Sequence, residues 1–202
     1  MKNEKLRNKK RTVLHSSFFV RTSKFELLRI TTYNRLVRIL GVDPGSITTG
    51  FGVIDCERGR MALVEQGSIT TARGAELPDR LCRIHEQLLA VIARTAPEAM
   101  AVEAPFAGVN SKSLIQLAHA RGVILLAARS ARLEVFEYSP RSVKSAVVGY
   151  GGAEKEQVAK MVRLLVKGCG DALMTMDASD ALAVAICHAH TASNAARLKI
   201  AR

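Results

Sequence analysis

Short apolar runs that end at an acidic residue are the feature that most constrains this fold. Residues 37–42 form one such run, which stops at the turn signal Asp43-Pro44-Gly45, and residues 99–103 form another, which is bounded by Pro105. Apolar runs of this length beside turn-forming residues predict strands. Because the strand ends supply both Asp43 and Glu103, we expect a crevice where those ends converge, which is a common place for α/β sites.

The remaining periodicity alternates between strand and helix. Strands are predicted at residues 50–55, 61–70 and 134–138, and helices at 77–93, 113–129, 140–148, 154–167 and 177–190. The order βββ-α-β-α-β-α-α predicts an α/β fold with a mixed central sheet of about five strands flanked by helices. The apolar helix at 113–129 is as consistent with a subunit interface as with core.

Positive charge is concentrated at the N-terminus. Residues 1–38 hold eleven Lys or Arg against two Glu, and so carry nine of the chain's net twelve positive charges. The rest is mildly basic, so any nucleic-acid site there must be a local patch. We divide the chain into a basic extension (1–36), one domain (37–192) and a C-terminal tail (193–202). We interpret the extension as a disordered tail or a start-site artefact, and a nucleic-acid-binding arm or a transit peptide stays open.

The cysteines and the hydropathy pattern indicate a cytoplasmic protein. The four cysteines show no CxxC or Cys/His spacing, which favours reduced, mostly buried residues over a disulfide or zinc framework. No run of about 18 apolar residues is present, so we expect no membrane span.

Four acidic residues are candidates for one metal site. Asp43 follows a strand directly, although a D-x-G turn also opens the phosphate loop of actin-like ATPases, and Glu103 is either solvated or directed into a cleft. Asp177 and Asp180 share one face of a helix's first turn, where carboxylates also serve as caps. An all-oxygen set suits Mg²⁺ or Mn²⁺ rather than zinc, and two such ions are usual in phosphodiester cleavage.

The ordered motifs resemble a known family. They are Gly41-Val-Asp-Pro-Gly-Ser46, Thr49-Gly-Phe-Gly-Val-Ile54, Val102-Glu103 with Phe106, Ala120-Arg-Gly-Val123, Val135-Phe-Glu-Tyr138, Val143-Lys144, Val147-Val-Gly149, Ala153-Glu-Lys155 and Asp177-Ala-Ser-Asp-Ala-Leu-Ala183. In this order they are similar to the RuvC family of Holliday junction resolvases, over roughly residues 38–190.

The resemblance implies an RNase H-like fold and a homodimer that nicks a four-way DNA junction symmetrically, leaving 5′-phosphate and 3′-hydroxyl ends. It implies two Mg²⁺ ions per subunit, with Mn²⁺ as a substitute, and a branch-migration helicase complex as a partner. It assigns metal-binding and catalytic roles to Asp43, Glu103, Asp177 and Asp180, catalytic and DNA-binding roles to Lys144 and Lys155, and DNA-binding roles to Phe106 and Arg121.

Departures from the family pattern leave other functions open. Val109 stands where many members carry a lysine, and residues 168–176, with the extra acid Asp171, differ from the expected loop. The alternatives are a nuclease acting on other branched DNA or on RNA, an actin-like ATPase or phosphotransferase, and a catalytically silent DNA-binding protein. His188 and His190 are two residues apart, which is a poor spacing for one metal, so we interpret both as structural or surface residues.

Overall fold

The computed structural model describes residues 35–105, 111–170 and 174–200. Its elements are β1 (Val37–Asp43), β2 (Thr48–Glu57), β3 (Arg60–Thr70), α1 (Leu77–Thr95), β4 (Ala99–Glu103), α2 (Ser111–Ser130), β5 (Glu134–Tyr138), α3 (Pro140–Val148), α4 (Lys155–Leu165), β6 (Val166–Lys167) and α5 (Met176–Ile200).

These strands form one mixed sheet in the order β5-β4-β1-β2-β3-β6. The first three strands pair antiparallel and form a meander, and β1–β4, β4–β5 and β3–β6 pair parallel. The predicted α/β class and mixed sheet are confirmed. Because these strands are parallel, the C-terminal ends of β1, β4 and β5 lie at the same end of the sheet.

Two predicted boundaries were wrong. The helix expected at 154–167 ends at Leu165, and Val166–Lys167 forms a sixth strand beside Met61 and Ala62. This pairing joins segments a hundred residues apart, so no local periodicity predicts it. The last helix was expected to end at 190 but continues to Ile200, and the predicted tail is helical as far as that residue.

Helix ends follow the local sequence closely. Ser139 caps α3 by accepting a hydrogen bond from the Ser142 amide (3.1 Å), and Pro140 follows in the first turn, where its missing N–H costs nothing. Gly149 ends α3 with a φ of 96°, a conformation that favours glycine. The start of α4 is fixed by Gln157, whose side-chain oxygen accepts from the Glu154 amide (2.9 Å).

The sheet separates two apolar layers. On one face, Leu40, Val42, Met100 and Val102 pack with residues of α1 and α2, and on the other, Ile39 and Ala101 pack with α5. Side chains alternate along a strand, so Gly41 and Asp43 of β1 share the α5 face with Ile39. Both acidic strand ends therefore face α5.

Helix α2 has apolar residues on both its buried side and its exposed side. Ile124 and three alanines are buried against the sheet, whereas Ile115 and Leu126 are 57% and 58% exposed. Within the described ranges, no helix has both the length and the apolarity needed to cross a membrane.

Candidate active site

Asp43 and Glu103 lie side by side at the C-terminal ends of the adjacent strands β1 and β4. Val42 pairs with Val102 in the parallel β1–β4 register, so the next residue of each strand brings the two carboxyl groups together. Both side chains are half-buried. The pattern of strands ending in acids therefore predicted this pair correctly.

Two glycines let α5 approach the sheet at backbone distance. A Cβ atom on Gly50 would lie 2.0 Å from the Asp177 carbonyl oxygen, and one on Gly41 would lie 2.0 Å from that of Ala181. Gly50 is the partner of Asp43 in the β1–β2 register. The first turn of α5 is thus held directly against the strand position beside Asp43.

The start of α5 is fixed by Thr175, the residue before the helix. Its hydroxyl accepts a hydrogen bond from the Ala178 amide (3.2 Å) and lies 2.9 Å from the Ser68 hydroxyl of β3. This cap locks the first turn against the sheet. Asp177 and Asp180 in that turn are both half-buried.

Burial and mutual repulsion perturb the acidic pair. The pKa of Asp43 is raised to about 8, chiefly by burial and then by the negative charges of Glu103 and Asp180. Burial also raises the pKa of Glu103, and Asp180 adds to the rise. The protonated Asp43 carboxyl donates a hydrogen bond to Glu103, so the two acids share one proton near neutral pH.

Two lysines bring positive charge to the same cluster. Lys155 Nζ lies 3.0 Å from Asp180 Oδ2, and this hydrogen bond raises the pKa of Lys155. The charges of Lys155 and Lys144 partly oppose the rise in the pKa of Glu103. Helices α3 and α4 therefore direct their predicted lysines toward the acids.

The donor set fits a hard divalent cation by its chemistry. The four candidate ligands offer only carboxylate oxygens, which hard divalent cations prefer. A cation between them would also offset the repulsion among the carboxylates that contributes to the raised pKa of Asp43. In the described ranges, no three Asp, Glu, His or Cys side chains lie as close together as ligands of one ion would. The acids are instead satisfied in pairs, Asp43 with Glu103 and Asp180 with Lys155.

Sequence comparison identifies the family of this site. Residues 39–188 match the family model described as crossover junction endodeoxyribonuclease RuvC. The chain belongs to the RuvC family. A RuvC of Chloroflexus aggregans is 44% identical over 81% of this chain and 99% of its own length, and one of Syntrophotalea carbinolica is 50% identical over 76% and 94%.

Structural comparison supports the RuvC assignment. A structure of Thermus thermophilus RuvC in complex with a Holliday junction substrate superposes with a TM-score of 0.74, at 34% identity over 79% of this chain and 97% of that one. A yeast mitochondrial Holliday junction resolvase, at 12% identity and a TM-score of 0.58, shares the fold alone. The RNase H-like fold implied by the resemblance is confirmed.

Arg121, which was named from the RuvC motifs, is paired with a residue of β5. The Arg121 guanidinium pairs with the Glu137 carboxylate of β5, and its side chain is only 19% exposed. A role for Arg121 in binding DNA stays a prediction. Phe106, Val109 and Asp171 lie outside the described residues, so their predicted roles are not addressed by the structure.

The two histidines are structural, as interpreted from their spacing. His188 is buried, its Nδ1 lies 2.7 Å from the Tyr138 hydroxyl, and its ring centroid is 4.3 Å from that of Phe136. His190 Nδ1 lies 3.0 Å from the Ala146 carbonyl oxygen. Both side chains serve contacts of α5 rather than the acidic site.

Sequence reasoning did not assign the residues that support the site. Gly41 and Gly50 belong to motifs quoted for the family resemblance, yet their role in seating α5 depends on contacts with a helix more than 120 residues away. Gly50 and Gly52 alternate with apolar residues in β2, and this alternation is the one local signal that another backbone approaches the strand.

Proposed function

We propose that this protein is a Holliday junction resolvase that nicks two strands of a four-way DNA junction symmetrically. The observation that carries the proposal is the half-buried pair Asp43 and Glu103 at the ends of two adjacent strands, with Lys155 bound to Asp180 beside it, in a chain that matches RuvC proteins over nearly their whole length. Each nick would leave a 5′-phosphate and a 3′-hydroxyl end.

Asp43, Glu103, Asp177 and Asp180 would hold two Mg²⁺ ions per subunit, for which Mn²⁺ substitutes. Ions bound there would lower the pKa of a water and neutralise charge on the scissile phosphate. Burial, and then the charges of Glu103 and Asp180, raise the pKa of Asp43, so a cation held by these acids would favour the ionised carboxylate. The closeness of α5 to β2 places the first turn of the helix, which carries both helix acids, against the strand position beside Asp43.

Lys144 and Lys155 would contact the phosphate backbone and stabilise charge that develops during cleavage. Lys155 is suited to this role because its side chain is 66% exposed while Nζ stays at Asp180. A long lysine side chain with such access reaches a phosphate without leaving the cluster. Phe106 and Arg121 would add contacts to the junction, as the family motifs imply.

A homodimer would supply the second nick. The exposed Ile115 and Leu126 are eleven residues apart on α2, which is close to three helical turns and places both on one face. An unpartnered apolar stripe on a helix suits a two-fold interface, and a two-fold protein matches the symmetry of a four-way junction. A branch-migration helicase complex is the further partner that the family implies. The four free cysteines agree with action in the cytoplasm.

Cleavage of a labelled synthetic four-way junction tests the proposal directly. A linear duplex of matched sequence, EDTA in place of Mg²⁺, and the variants Asp43→Asn and Asp79→Asn complete the assay. We expect paired symmetric nicks on the junction alone, abolished by EDTA and by Asp43→Asn, and retained by Asp79→Asn, which removes an exposed carboxylate of α1.

Each other outcome points to a specific alternative. Junction binding without metal-dependent cutting would leave a DNA-binding protein and refute the enzyme. Better cutting of flaps, forks or RNA hybrids would keep the nuclease and replace its substrate. Nicking of only one strand by a monomeric protein would refute the dimer.

A further inference from the structure

The turn that follows Asp43 is held by buried side chains from outside it. Thr49 Oγ1 donates to the Gly45 carbonyl (2.7 Å), Thr71 Oγ1 lies 3.1 Å from the Ser46 carbonyl oxygen, and Arg80 Nη1 donates to that same oxygen (3.4 Å). The three residues are 0%, 3% and 7% exposed. The backbone leaving the catalytic strand therefore rests on a layer with almost no access to water.

Arg80 is a costly residue in this layer. Among the described residues its Nε has no hydrogen-bond partner, and no carboxylate lies within ion-pair distance of its guanidinium. Arginine stays charged, and burying a charge without an opposite charge beside it is unfavourable. A leucine or methionine would fill the same space of α1 without that penalty, so packing alone does not account for the arginine.

The contact made by Arg80 is directed at the turn. The guanidinium faces the Ser46 carbonyl oxygen, which is the negative end of a peptide dipole three residues after Asp43. In surroundings without water, the attraction between a full charge and this dipole is strong even at 3.4 Å.

We infer that Arg80 is a positioning residue for the metal site. Its buried charge draws the Ser46 carbonyl toward α1 and thereby fixes the direction in which the chain leaves β1, which sets the orientation of Asp43 toward Glu103. This inference rests on the proposed function, because the geometry that Arg80 maintains matters only if the acids bind metal.

The test compares Arg80→Ala and Arg80→Lys with Arg94→Ala. Arg94 lies in the last turn of the same helix and is paired with Glu65, so its loss removes an arginine of α1 far from the Asp43 turn. Mn²⁺ affinity is measured on metal-free protein by titration calorimetry, junction affinity in EDTA, and cleavage under single-turnover conditions. Guanidinium chloride at low millimolar concentration is then added to each variant.

For Arg80→Ala we expect Mn²⁺ affinity and cleavage to fall about tenfold to a hundredfold, as is typical for residues that orient metal ligands. Junction affinity in EDTA should stay within about twofold, because phosphate contacts dominate it. Added guanidinium should recover part of the Mn²⁺ affinity, which a purely structural role would not produce. Arg80→Lys should lie between Arg80→Ala and the unsubstituted protein and gain nothing from guanidinium, while Arg94→Ala keeps its Mn²⁺ affinity.

Normal Mn²⁺ affinity in Arg80→Ala would overturn the inference, and so would an equal loss in Arg94→Ala. Should Arg80→Ala fail to fold, Arg80→Lys decides in the same way, since unchanged Mn²⁺ affinity there with impaired stability would indicate packing alone. Measurements on the unsubstituted protein distinguish a failure of the proposed function from a failure of the role inferred for Arg80. Failure of that protein to bind Mn²⁺ and to cut junctions refutes the proposed function, whereas normal behaviour beside a normal Arg80→Ala refutes only the role of Arg80.

Discussion

Replacing Asp43 with asparagine should stabilise the metal-free protein while abolishing its activity. The pKa of Asp43 rises from an ordinary value of 3.8 to about 8 in the folded state. The unfolded chain therefore releases this proton near pH 4, whereas the folded chain keeps it until about pH 8. Between these values the unfolded state binds fewer protons, so the free energy of unfolding falls as pH rises, and above pH 8 the loss is complete.

The size of this effect follows from the shift. At 1.36 kcal/mol per pH unit, a rise from 3.8 to about 8 corresponds to roughly 6 kcal/mol at high pH. Asparagine keeps the volume and still donates an N–H to Glu103, but loses about 1 kcal/mol of charge-assisted hydrogen bonding. Relaxation of the buried pair reduces the remainder, so we expect a gain of about 2–4 kcal/mol at pH 8 and close to none at pH 4.

Thermal unfolding in EDTA across pH 4–9 measures the gain, which should raise the midpoint of Asp43→Asn by about 5–12 °C at pH 8. Asp79→Asn serves as the control, because an exposed carboxylate changes stability by only about 0.5 kcal/mol at any pH. Adding Mn²⁺ should stabilise the unsubstituted protein more than the variant. Equal midpoints at pH 8 in EDTA, or a pH-independent difference, would refute the argument that buried acid repulsion is relieved by metal.

Three other substitutions test separate parts of the structure. Gly50→Ala should destabilise the protein by about 1–3 kcal/mol and weaken Mn²⁺ binding, because the added Cβ would meet a carbonyl of α5. Gly74→Ala is the control, since a Cβ there meets no other atom, and it should change neither quantity. Calorimetry measures both quantities in the two variants. Lys155→Met should slow single-turnover cleavage about a hundredfold with stability changed by less than about 1 kcal/mol, and a cleavage rate near normal would remove Lys155 from catalysis. Leu126→Lys should convert the proposed dimer to monomers in analytical ultracentrifugation, and the protein should stay folded because Leu126 is exposed. A persistent dimer would place the interface elsewhere.

The sequence predicted best where local chemistry decides the structure. The bounds of β4 and β5 were predicted without error, and the start of α3 was marked by Pro140. Asp43 was placed correctly because proline and glycine after a short apolar run leave few alternatives to a strand end. Strand ends and helix starts are where side chains and backbone of neighbouring residues determine the outcome.

The structure departed from prediction where distant segments decide. The two-residue strand β6 exists because Val166 pairs with Met61, a residue more than 100 positions earlier in the chain. Arg80 carries no local sign of its contact with Ser46, and the alternation of Gly50 with Gly52 indicates a close approach without identifying the distant helix that makes it. Such roles become visible only when the chain is folded.

The sheet that carries the acids also divides the molecule into two layers. The strand acids face the side of α3, α4 and α5, whereas the exposed Ile115 and Leu126 of α2 belong to the opposite layer. Strand residues alternate between the two sides, so the two layers draw on different side chains of the same strands. In the proposed dimer, association would therefore use one side of the sheet and cleavage the other, and a family member that moved its interface along α2 would change the spacing between its two nicks while keeping its acids.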